Sequence, residues 1–330
     1  MRVLVCGGAG YVGSHTVRQL HRAGYEVVVL DNLIKGHIKA IGRTAFIHAS
    51  INDKAAVARV FVEHQINAVM HFADSSRVGE CVASPDIYCR NDVVGTLNLL
   101  EAMRKTKVNY FIFSSTAAVY GEPMEIPITE NHATVPRNPY GSSKLAVESL
   151  LQWFSQAYGL MYTSLRYFNA AGADPAGDLG EDHEPETHLI ARVLNTALGP
   201  GPGPEIKIFG TDHPTPDGTC IRDYVHVNDL ADAHILALER LVSGGDAGIY
   251  NLGSGSGFSV RKVITTAEKV VGRPVKVVED HRRPGDPAVL VASSAKAAKE
   301  LGWKPKYDNL EQIIGTAWKW RQANPKGYAK

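Results

Sequence analysis

Gly7-Gly8-Ala9-Gly10-Tyr11-Val12-Gly13 stands directly after the short apolar segment Arg2–Cys6 and opens the helical pattern of Tyr11–Ala23. Its spaced glycines follow a GxxGxxG pattern. Glycine is needed where the backbone turns tightly or approaches a ligand closely, and the free amides of a helix N-terminus bind phosphate oxygens. The stretch therefore predicts a phosphate-binding turn between a strand and a helix. Packing glycines in an ordinary strand–helix turn would give the same triplet.

An acidic residue supports the phosphate-binding interpretation. Asp31 ends the second predicted strand, 24 residues after Gly7, where a carboxylate can accept hydrogen bonds from both hydroxyls of an adenine ribose. Because the same charge repels a 2′-phosphate, NAD is favoured over NADP. Asp31-Asn32 is also a common turn pair, so the prediction of a dinucleotide site depends on strand, turn and acid occurring together.

The first half of the chain alternates short apolar segments with longer helical ones. The predicted strands are rich in Val, Ile and Phe: Arg2–Cys6, Val27–Leu30, Ala45–Ala49, Ala68–Phe72, Tyr110–Ser114 and Thr163–Tyr167. The predicted helices are Tyr11–Ala23, Lys54–His64, Asp86–Lys105 and Ser142–Tyr158. This alternation predicts an α/β protein with a Rossmann-type, doubly wound parallel sheet. Ligands of such sheets bind beyond the carboxyl ends of the strands.

The sequence changes character after Gly172, where acidic and Gly/Pro-rich loops replace the regular alternation. We therefore expect an NAD-binding domain over residues 1–172 and a smaller α/β substrate-binding domain over residues 173–330. A segment near residues 221–240 is expected to return to the first domain. One apolar stripe along Asn309–Arg321 predicts the last helix.

Composition argues against several classes of partner. The 330 residues include 35 Lys and Arg against 34 Asp and Glu, a net charge of +1, which provides no basic field for nucleic acid or for an anionic membrane. No stretch has the roughly 18 apolar residues of a membrane-spanning helix, and the N-terminus does not resemble a signal peptide. The four cysteines have no CxxC spacing, so we expect no disulfide framework, no metal site and a cytoplasmic location.

A tyrosine and a lysine one helical turn apart form a candidate catalytic pair. In Tyr140-Gly-Ser-Ser-Lys144 the phenol and the ammonium lie on one face of a predicted helix. The ordinary pKa of tyrosine is about 10, and a nearby cation together with NAD⁺ would stabilise the phenolate. Lowering that pKa by about three units requires roughly 4 kcal/mol. Taken alone, the same motif also occurs at the start of ordinary surface helices.

Hydroxyl residues end the strand before this helix. Ser114-Ser115-Thr116 lies at the carboxyl edge of the predicted sheet, where hydroxyls could hydrogen-bond a reacting sugar hydroxyl or carbonyl. Such a cluster alone is usually turn chemistry. Its combination with the glycine turn, Asp31, Tyr140 and Lys144 is what predicts NAD-dependent chemistry at one edge of the sheet.

With these motifs, the chain resembles the UDP-sugar 4-epimerases of the extended short-chain dehydrogenase/reductase family. The resemblance covers nearly the whole chain. Its landmarks include Asp31-Asn32-Leu33, His71-Phe72-Ala73, Arg166-Tyr167-Phe168-Asn169 and Gly218-Thr219-Cys220-Ile221-Arg222-Asp223-Tyr224. It implies an isomerase with tightly bound NAD that interconverts UDP-galactose and UDP-glucose through a transient 4-keto sugar. It also implies a homodimer.

Carried over by position, the resemblance makes Tyr140 the acid–base residue, Lys144 its electrostatic partner and a ribose ligand, and Thr116 a residue that orients the sugar 4-hydroxyl. The positions expected to contact NAD, besides Lys144, are Gly7, Gly10, Tyr11, Val12, Gly13, Asp31, Asn32, Ser50, Ile51, Phe72, Ala73, Ser76, Asn91 and Phe168. The substrate positions, besides Thr116 and Tyr140, are Asn169, His188, Leu189, Phe209, Arg222, Arg283, Asp286 and Leu290. Arginine suits a diphosphate because its planar fork pairs with two oxygens, whereas His188 also fits an ordinary helix start.

Four positions depart from the family pattern. Asp74 replaces a small residue on the nicotinamide side, Ser50 stands where an Asp commonly contacts adenine, and Ser76 stands where some members have lysine. Leu290 replaces a bulky aromatic residue that restricts some members to unacetylated sugars. UDP-N-acetylhexosamines as additional substrates are therefore a hypothesis.

Other functions were weighed against the same residues. A pentose or uronic-acid 4-epimerase would share the catalytic set and stays open. A 4,6-dehydratase would need an acid–base pair directly after Thr116, where this chain has Ala117-Ala118. A protein that binds NAD without catalysis commonly lacks the tyrosine or the lysine, and both are present here.

Overall fold

A computed structural model of the chain describes residues 1–74, 78–199, 203–283 and 285–328, without the side chains of residues 78–80. Its strands, in chain order, are β1 (Arg2–Cys6), β2 (Glu26–Asp31), β3 (Ala45–His48), β4 (Ala68–His71), β5 (Tyr110–Thr116), β6 (Met161–Tyr167), β7 (Asn169–Ala171), β8 (Ile206–Phe209), β9 (Ile221–Arg222), β10 (Tyr224–His226), β11 (Gly248–Leu252), β12 (Phe258–Ser259), β13 (Val277–Asp280) and β14 (Val289–Leu290).

Helices connect and cover these strands. They are α1 (Tyr11–Arg22), α2 (Lys54–Glu63), α3 (Val78–Ala83), α4 (Pro85–Tyr88), α5 (Gly95–Thr106), α6 (Pro139–Tyr158), α7 (Leu189–Thr196), α8 (Val227–Val242), α9 (Val260–Val271), α10 (Ala295–Glu300) and α11 (Leu310–Ala323). Among them, none combines the length and hydropathy needed to cross a bilayer, as far as the described residues go.

The largest sheet within the described residues has seven strands in the order β11-β6-β5-β4-β1-β2-β3. Each neighbouring pair is parallel. The predicted Rossmann-type sheet and its six predicted strands are therefore confirmed, while β11 was not predicted. The strand order reverses between β1 and β4, and ligands of such sheets bind outside the carboxyl ends of strands at this point.

The two faces of this sheet bury alternate residues of each strand. In β1, Val3 and Val5 pack with α1 and α8 on one face, whereas Leu4 and Cys6 pack with α2 and α5 on the other. Successive side chains of a strand point to opposite faces, which explains the alternation. All four are fully buried, and each buried aliphatic side chain stabilises the fold by about 1.5–3 kcal/mol.

The predicted helix Asp86–Lys105 is present with an irregularity. It begins as α4, passes through a π-helical segment at Cys89–Val94 and continues as α5. A π-helical turn widens the backbone spacing and commonly marks a functional position. Here it carries Asn91, one of the predicted cofactor contacts.

The C-terminal half forms smaller sheets around a second core. β7 pairs with β10, β8 pairs with β13, and β9 lies between β12 and β14. Helices α7, α9 and α11 surround a core that includes Val193, Val263 and Ile313. α8 packs on α1 instead, and Trp303 is buried in the first core. The part of the second half that returns to the first core therefore extends as far as Trp303. It is longer than the predicted segment near residues 221–240.

Candidate functional site

The glycine turn lies at the carboxyl end of β1, and its close contacts require glycine. Gly7 has φ +76°, and a Cβ there would lie 2.5 Å from the carbonyl carbon of Phe72. A Cβ on Gly13 would lie 2.2 Å from the carbonyl oxygen of Gly7. Gly10 is the N-cap of α1 and has no side chain to cap it. The amides of the first turn are therefore open to a phosphate, as a dinucleotide-binding turn requires.

Asp31 lies at the adjacent strand end and is tied to this turn. Its carboxylate accepts hydrogen bonds from the backbone amides of Ala9 at 3.0 Å and Leu33 at 2.8 Å. Burial raises the pKa of Asp31 above its ordinary value, although these amide bonds counteract the rise. Each carboxylate oxygen has a second lone pair, so the side chain can still accept from ribose hydroxyls.

The other predicted cofactor positions are spread along the same edge. The Tyr11 hydroxyl donates to the carbonyl of Gly172 at 2.6 Å, and Asn91 Nδ2 donates to the carbonyl of Ala73 at 2.9 Å. The Phe72 ring lies 4.7 Å from the ring of His234. Asn91 thus holds the backbone after β4 next to the glycine turn.

Four further predicted cofactor positions have packing or hydrogen-bond partners within the protein. Val12 packs against the first core, the side chains of Asn32 and Ser50 accept hydrogen bonds from nearby backbone amides, and Ile51 is buried in the core on the other face. Ser76 lies outside the described residues.

Tyr140 and Lys144 lie in the first two turns of α6. The Asn138 side chain caps this helix by accepting from the Gly141 amide at 2.8 Å, and Pro139 occupies the first position, where its missing N–H costs nothing. Lys144 Nζ lies 5.8 Å from the centre of the Tyr140 ring. The sequence-predicted pair is therefore brought together by one well-capped helix.

Thr116 completes the candidate catalytic group from the end of β5. Its side chain accepts from the Ala118 amide at 3.1 Å and is hydrogen-bonded to Tyr140. The other two hydroxyls of the strand end have different partners: Ser114 Oγ contacts the Tyr167 hydroxyl at 2.5 Å, and Ser115 Oγ donates to Glu148 at 2.6 Å. Of the three hydroxyls, the one that interacts with Tyr140 is that of Thr116.

Protein groups act on the pKa of Tyr140 in both directions. Burial is the largest effect and raises the pKa of Tyr140 above 10. Lys144 and the hydrogen bond from Thr116 lower it, while the charges of Asp74 and Asp92 raise it. In the protein by itself desolvation outweighs the single nearby cation, and the prediction that Lys144 and NAD⁺ together stabilise the phenolate stays a prediction.

Asp74 reduces the effect of the Lys144 charge on the pKa of Tyr140, because it forms an ion pair with Lys144. Lys144 Nζ donates to Asp74 Oδ2 at 2.5 Å and to the carbonyl of Ser114 at 2.7 Å. Both charged side chains are almost fully buried. Asp74 was noted in the sequence as a departure near the nicotinamide, but its pairing with Lys144 was not predicted.

A cavity of about 210 Å³ opens beside β7. Seven predicted substrate residues line it: Asn169, His188, Leu189, Phe209, Arg222, Arg283 and Asp286. Arg222 donates to Asp286 at 2.5 Å, and the Arg283 guanidinium lies 3.8 Å from the centre of the Phe209 ring. The cavity therefore combines cations with a flat aromatic surface, a suitable lining for a nucleoside diphosphate.

Sequence reasoning missed two further cations of this cavity. Arg192 and Lys207 also line it. Arg192 follows His188 by one helical turn, and Lys207 precedes Phe209 by two residues on the same face of β8. These spacings place each cation on the same face as a predicted substrate residue, so both could have been predicted from the sequence.

Leu290 lies outside this lining but near the catalytic group. It packs with Phe168 against the buried cluster of Ala117, Val119, Tyr120 and Ile128. Because this cluster directly follows Thr116, the predicted specificity residue and the predicted cofactor contact Phe168 share one apolar wall.

A second polar group at the cavity was not predicted. Glu181, His183, Glu186 and His188 bring one ligand atom each within 4.8 Å of one another. Glu181 and Glu186 raise the pKa of His188 to about 9 against the opposing effect of burial. We expected no metal site because the cysteines lack a ligand spacing. That expectation did not take into account the E-x-H-x-x-E-x-H spacing of these four residues.

Comparison with known proteins gives consistent results. The sequence model of the NAD dependent epimerase/dehydratase family matches residues 3–253. A UDP-glucose 4-epimerase of Halalkalibacterium halodurans is 52% identical over 329 residues, which cover 100% of this chain and 98% of that protein. A crystal structure of a UDP-glucose 4-epimerase matches with TM-score 0.97 and 51% identity over 100% of both chains. A UDP-glucose 4-epimerase of Stenotrophomonas maltophila, solved with bound NAD and formylated UDP-arabinopyranose, matches with TM-score 0.94 and 39% identity over 99% of both chains.

Proposed function

The chain belongs to the NAD dependent epimerase/dehydratase family, and from this membership we infer that it is an isomerase that interconverts UDP-galactose and UDP-glucose at carbon 4 of the hexose. One observation carries the assignment to a catalytic site. Tyr140, hydrogen-bonded by Thr116 and next to Lys144, lies at the sheet edge that also carries the glycine turn.

The residues at this edge fit NAD. The backbone contacts of Gly7 and Gly13 leave no room for a Cβ, and the first turn of α1 offers unpaired amides to a pyrophosphate. Asp31 would hold the adenine ribose, and Asn91 would support the backbone of Ala73 along the cofactor. Bound NAD would supply the hydride acceptor and donor for carbon 4 of the hexose.

The protein's own part in the reaction is proton transfer and positioning. Tyr140 would take the proton of the sugar 4-hydroxyl at its phenolic oxygen and return it after the sugar has turned over. Thr116 would orient that hydroxyl, and Lys144 would stabilise the phenolate and bind the nicotinamide ribose. Burial opposes the phenolate, so the positive charge of the bound oxidised cofactor supplies part of the stabilisation that the protein lacks.

The cavity residues have the complementary task of holding the nucleotide. Arg222 and Arg283 would bind the diphosphate, and Phe209 would contact the flat base. Firm binding at this end leaves the hexose free to present either face of the 4-keto sugar to the same tyrosine. This division is why inversion needs one acid–base residue and not two.

We also propose the wider organisation expected from the family. Residues 1–172 would bind NAD and residues 173–330 the UDP-sugar, and the packing of α8 and Trp303 on the first core supports a returning segment. A homodimer and a cytoplasmic location are further proposals. The second is supported by the cysteines of the described residues, which form no disulfide bond. Light scattering of the purified protein would give the mass of the assembly.

Substrate breadth depends on Leu290. Its side chain is smaller than an aromatic residue and packs with Phe168 against the apolar cluster that follows Thr116, so it would obstruct an N-acetyl group on the sugar less than an aromatic ring would. We expect the native chain to convert UDP-N-acetylgalactosamine, and Leu290→Tyr to lose that activity by about tenfold or more while keeping UDP-galactose turnover. Equal loss of both activities would show that Leu290 does not select the sugar.

A coupled assay tests the function directly. UDP-galactose is supplied, and the UDP-glucose formed is oxidised by a UDP-glucose dehydrogenase, whose NADH is followed by absorbance. Parallel reactions with UDP-arabinose and UDP-galacturonate, analysed by chromatography, test the pentose and uronic-acid alternatives. Turnover of one of these in place of UDP-galactose would overturn the proposed substrate but not the reaction type.

A further inference from the structure

Four metal-ligating side chains form a compact group outside the catalytic residues. Glu181, His183, Glu186 and His188 lie in the loop that leads into α7, and Glu181 and His188 also line the cavity beside β7. The ring of Tyr11, in the first turn of α1, lies edge-on to the ring of His183 with 6.1 Å between the ring centres. The group therefore lies between the glycine turn and the cavity.

The geometry of the group is close to that of a four-coordinate cation site. His183 Nδ1 lies 3.2 Å from Glu181 Oε1 and 3.8 Å from Glu186 Oε2, and His188 Nδ1 lies 3.9 Å from Glu186 Oε1. Ligands at about 2.0–2.2 Å from a tetrahedral zinc ion are about 3.3–3.6 Å apart. One ligand atom from each residue already lies within 4.8 Å of the others, so shifts of about an ångström would bring four atoms around one ion. His188 and Glu181 are already in direct hydrogen-bond contact.

The group is also held in place by its surroundings. Glu186 Oε1 accepts from the backbone amides of Thr187 at 2.7 Å and His188 at 2.8 Å, which fixes the orientation of the carboxylate. The rings of His183 and His188 are nearly perpendicular, at 80°. Outer hydrogen bonds of this kind orient the ligands of protein metal sites.

The charge of the group calls for a cation. Two carboxylates with mostly buried side chains stand beside a cavity whose arginines and lysine suit an anionic ligand. Without a neutralising charge, these carboxylates would repel a diphosphate, and the repulsion would be strong because the side chains are partly shielded from water. One divalent ion held by two nitrogens and two oxygens would neutralise them.

We propose that Glu181, His183, Glu186 and His188 bind one divalent transition-metal ion, with zinc as the representative ion for this mixed nitrogen and oxygen donor set. The ion would fix the loop of residues 181–188 against the wall of the nucleotide cavity. It takes no part in hydride or proton transfer, so the proposal stands or falls separately from the proposed epimerase function.

Calorimetry with ZnCl₂ alone tests the site. The full chain carrying its NAD is treated with chelator, transferred to metal-free buffer and titrated, and we expect one zinc ion per chain. Zinc-edge anomalous diffraction from crystals of the native protein should then show one peak among the four side chains. A peak elsewhere, or no saturable binding, would overturn the proposal.

Variants locate the ligands. Glu186→Gln keeps an oxygen that can accept from the Thr187 and His188 amides but removes the charge, and His183→Ala removes one nitrogen. Each should weaken zinc binding by about 100-fold or more. Mutation of a residue that only hydrogen-bonds a metal ligand typically weakens binding by about 10–100-fold, and loss of a ligand should cost at least as much. His281→Gln, at an exposed histidine, should bind zinc like the native chain. Native affinity in both ligand variants, with circular dichroism showing that they are folded, would refute the assignment.

Discussion

At Tyr140, two opposing effects act on the pKa of the same phenol. A unit charge about 6 Å away contributes about 3 kcal/mol at an effective dielectric constant near 20, which is the scale on which Lys144 favours the phenolate. Desolvation acts in the opposite direction, and Asp74, paired with Lys144 at 2.5 Å, cancels much of the lysine's field. The pKa is therefore raised in the protein itself, and we expect the positive charge of bound NAD⁺ to supply part of the stabilisation of the phenolate.

Replacing the phenol by a phenyl ring tests its role as the acid–base residue. We expect Tyr140→Phe to keep the fold, the ring contact with Tyr88 and NAD binding, but to lose about 10²–10⁴-fold in kcat. The coupled assay measures the loss. Tyr158→Phe, at the far end of the same helix, serves as the matched control and should turn over normally. Comparable activity in the two variants would place the base elsewhere.

Asp74 provides a second test at the residue scale. Its negative charge raises the pKa of Tyr140, so Asp74→Ala and Asp74→Asn should both lower that pKa. Because the phenolate is the active base, activity should then persist to lower pH, and the acidic limb of the kcat/KM profile should shift in that direction. Asp53→Asn removes an exposed charge but keeps a competent N-cap of α2, and its profile should stay unchanged. An acidic limb that does not move in either Asp74 variant would contradict this coupling.

At the scale of elements, the turn between β1 and α1 depends on the close approach of backbone atoms. Gly13→Ala would place a methyl group 2.2 Å from the Gly7 carbonyl oxygen, so we expect a loss of about 1–3 kcal/mol in stability and at least about tenfold weaker NAD binding. Gly315→Ala, in the middle of α11 with open space around its Cβ, should instead be neutral or slightly stabilising. Thermal unfolding and fluorescence titration with NAD measure both effects. Native NAD affinity in Gly13→Ala would show that the turn does not bind the phosphates.

The regular elements of the sheet could be predicted because their signals are local. Six strands and their covering helices are short or periodic enough to show in sequence, whereas β11 was missed. Its five residues, Gly248–Leu252, follow α8 after a short connection, and they pair in parallel with β6 only after that helix has brought the chain back to the first sheet. The π-helical segment Cys89–Val94 was missed for a related reason, since its sequence pattern remains helical.

The candidate site was predictable as a set of residues but not as a set of interactions. Seven substrate residues that line the cavity could be predicted because their positions match a family pattern. The pairing of Asp74 with Lys144 and the group around Glu181 and His183 depend on tertiary contacts. No periodicity reports which buried charge faces which, so these contacts appeared only in the structure.

At the scale of the whole molecule, four buried histidines make stability depend on pH. Burial lowers the pKa of His15 and His234 to about 4 and that of His71 and His226 to about 3. Their ordinary pKa in the unfolded chain is about 6.5. Since the folded pKa is the lower one, their contribution to stability is present above pH 6.5 and is lost as pH falls toward the folded values. His188, with a folded pKa of about 9, is mostly protonated in both states below pH 6.5 and adds little slope there.

The unfolding free energy should therefore fall between pH 6.5 and 5.5, by roughly 1 kcal/mol for each of the four histidines. Chemical denaturation at a series of pH values measures it. His234→Phe keeps an aromatic ring against Phe72 and Tyr167 but cannot titrate, so its slope should correspond to one proton fewer than that of the native chain. His21→Phe, at an exposed histidine, should keep the native slope. A native free energy that stays level across this interval, or equal slopes in native and His234→Phe proteins, would mean that these rings are protonated inside the fold.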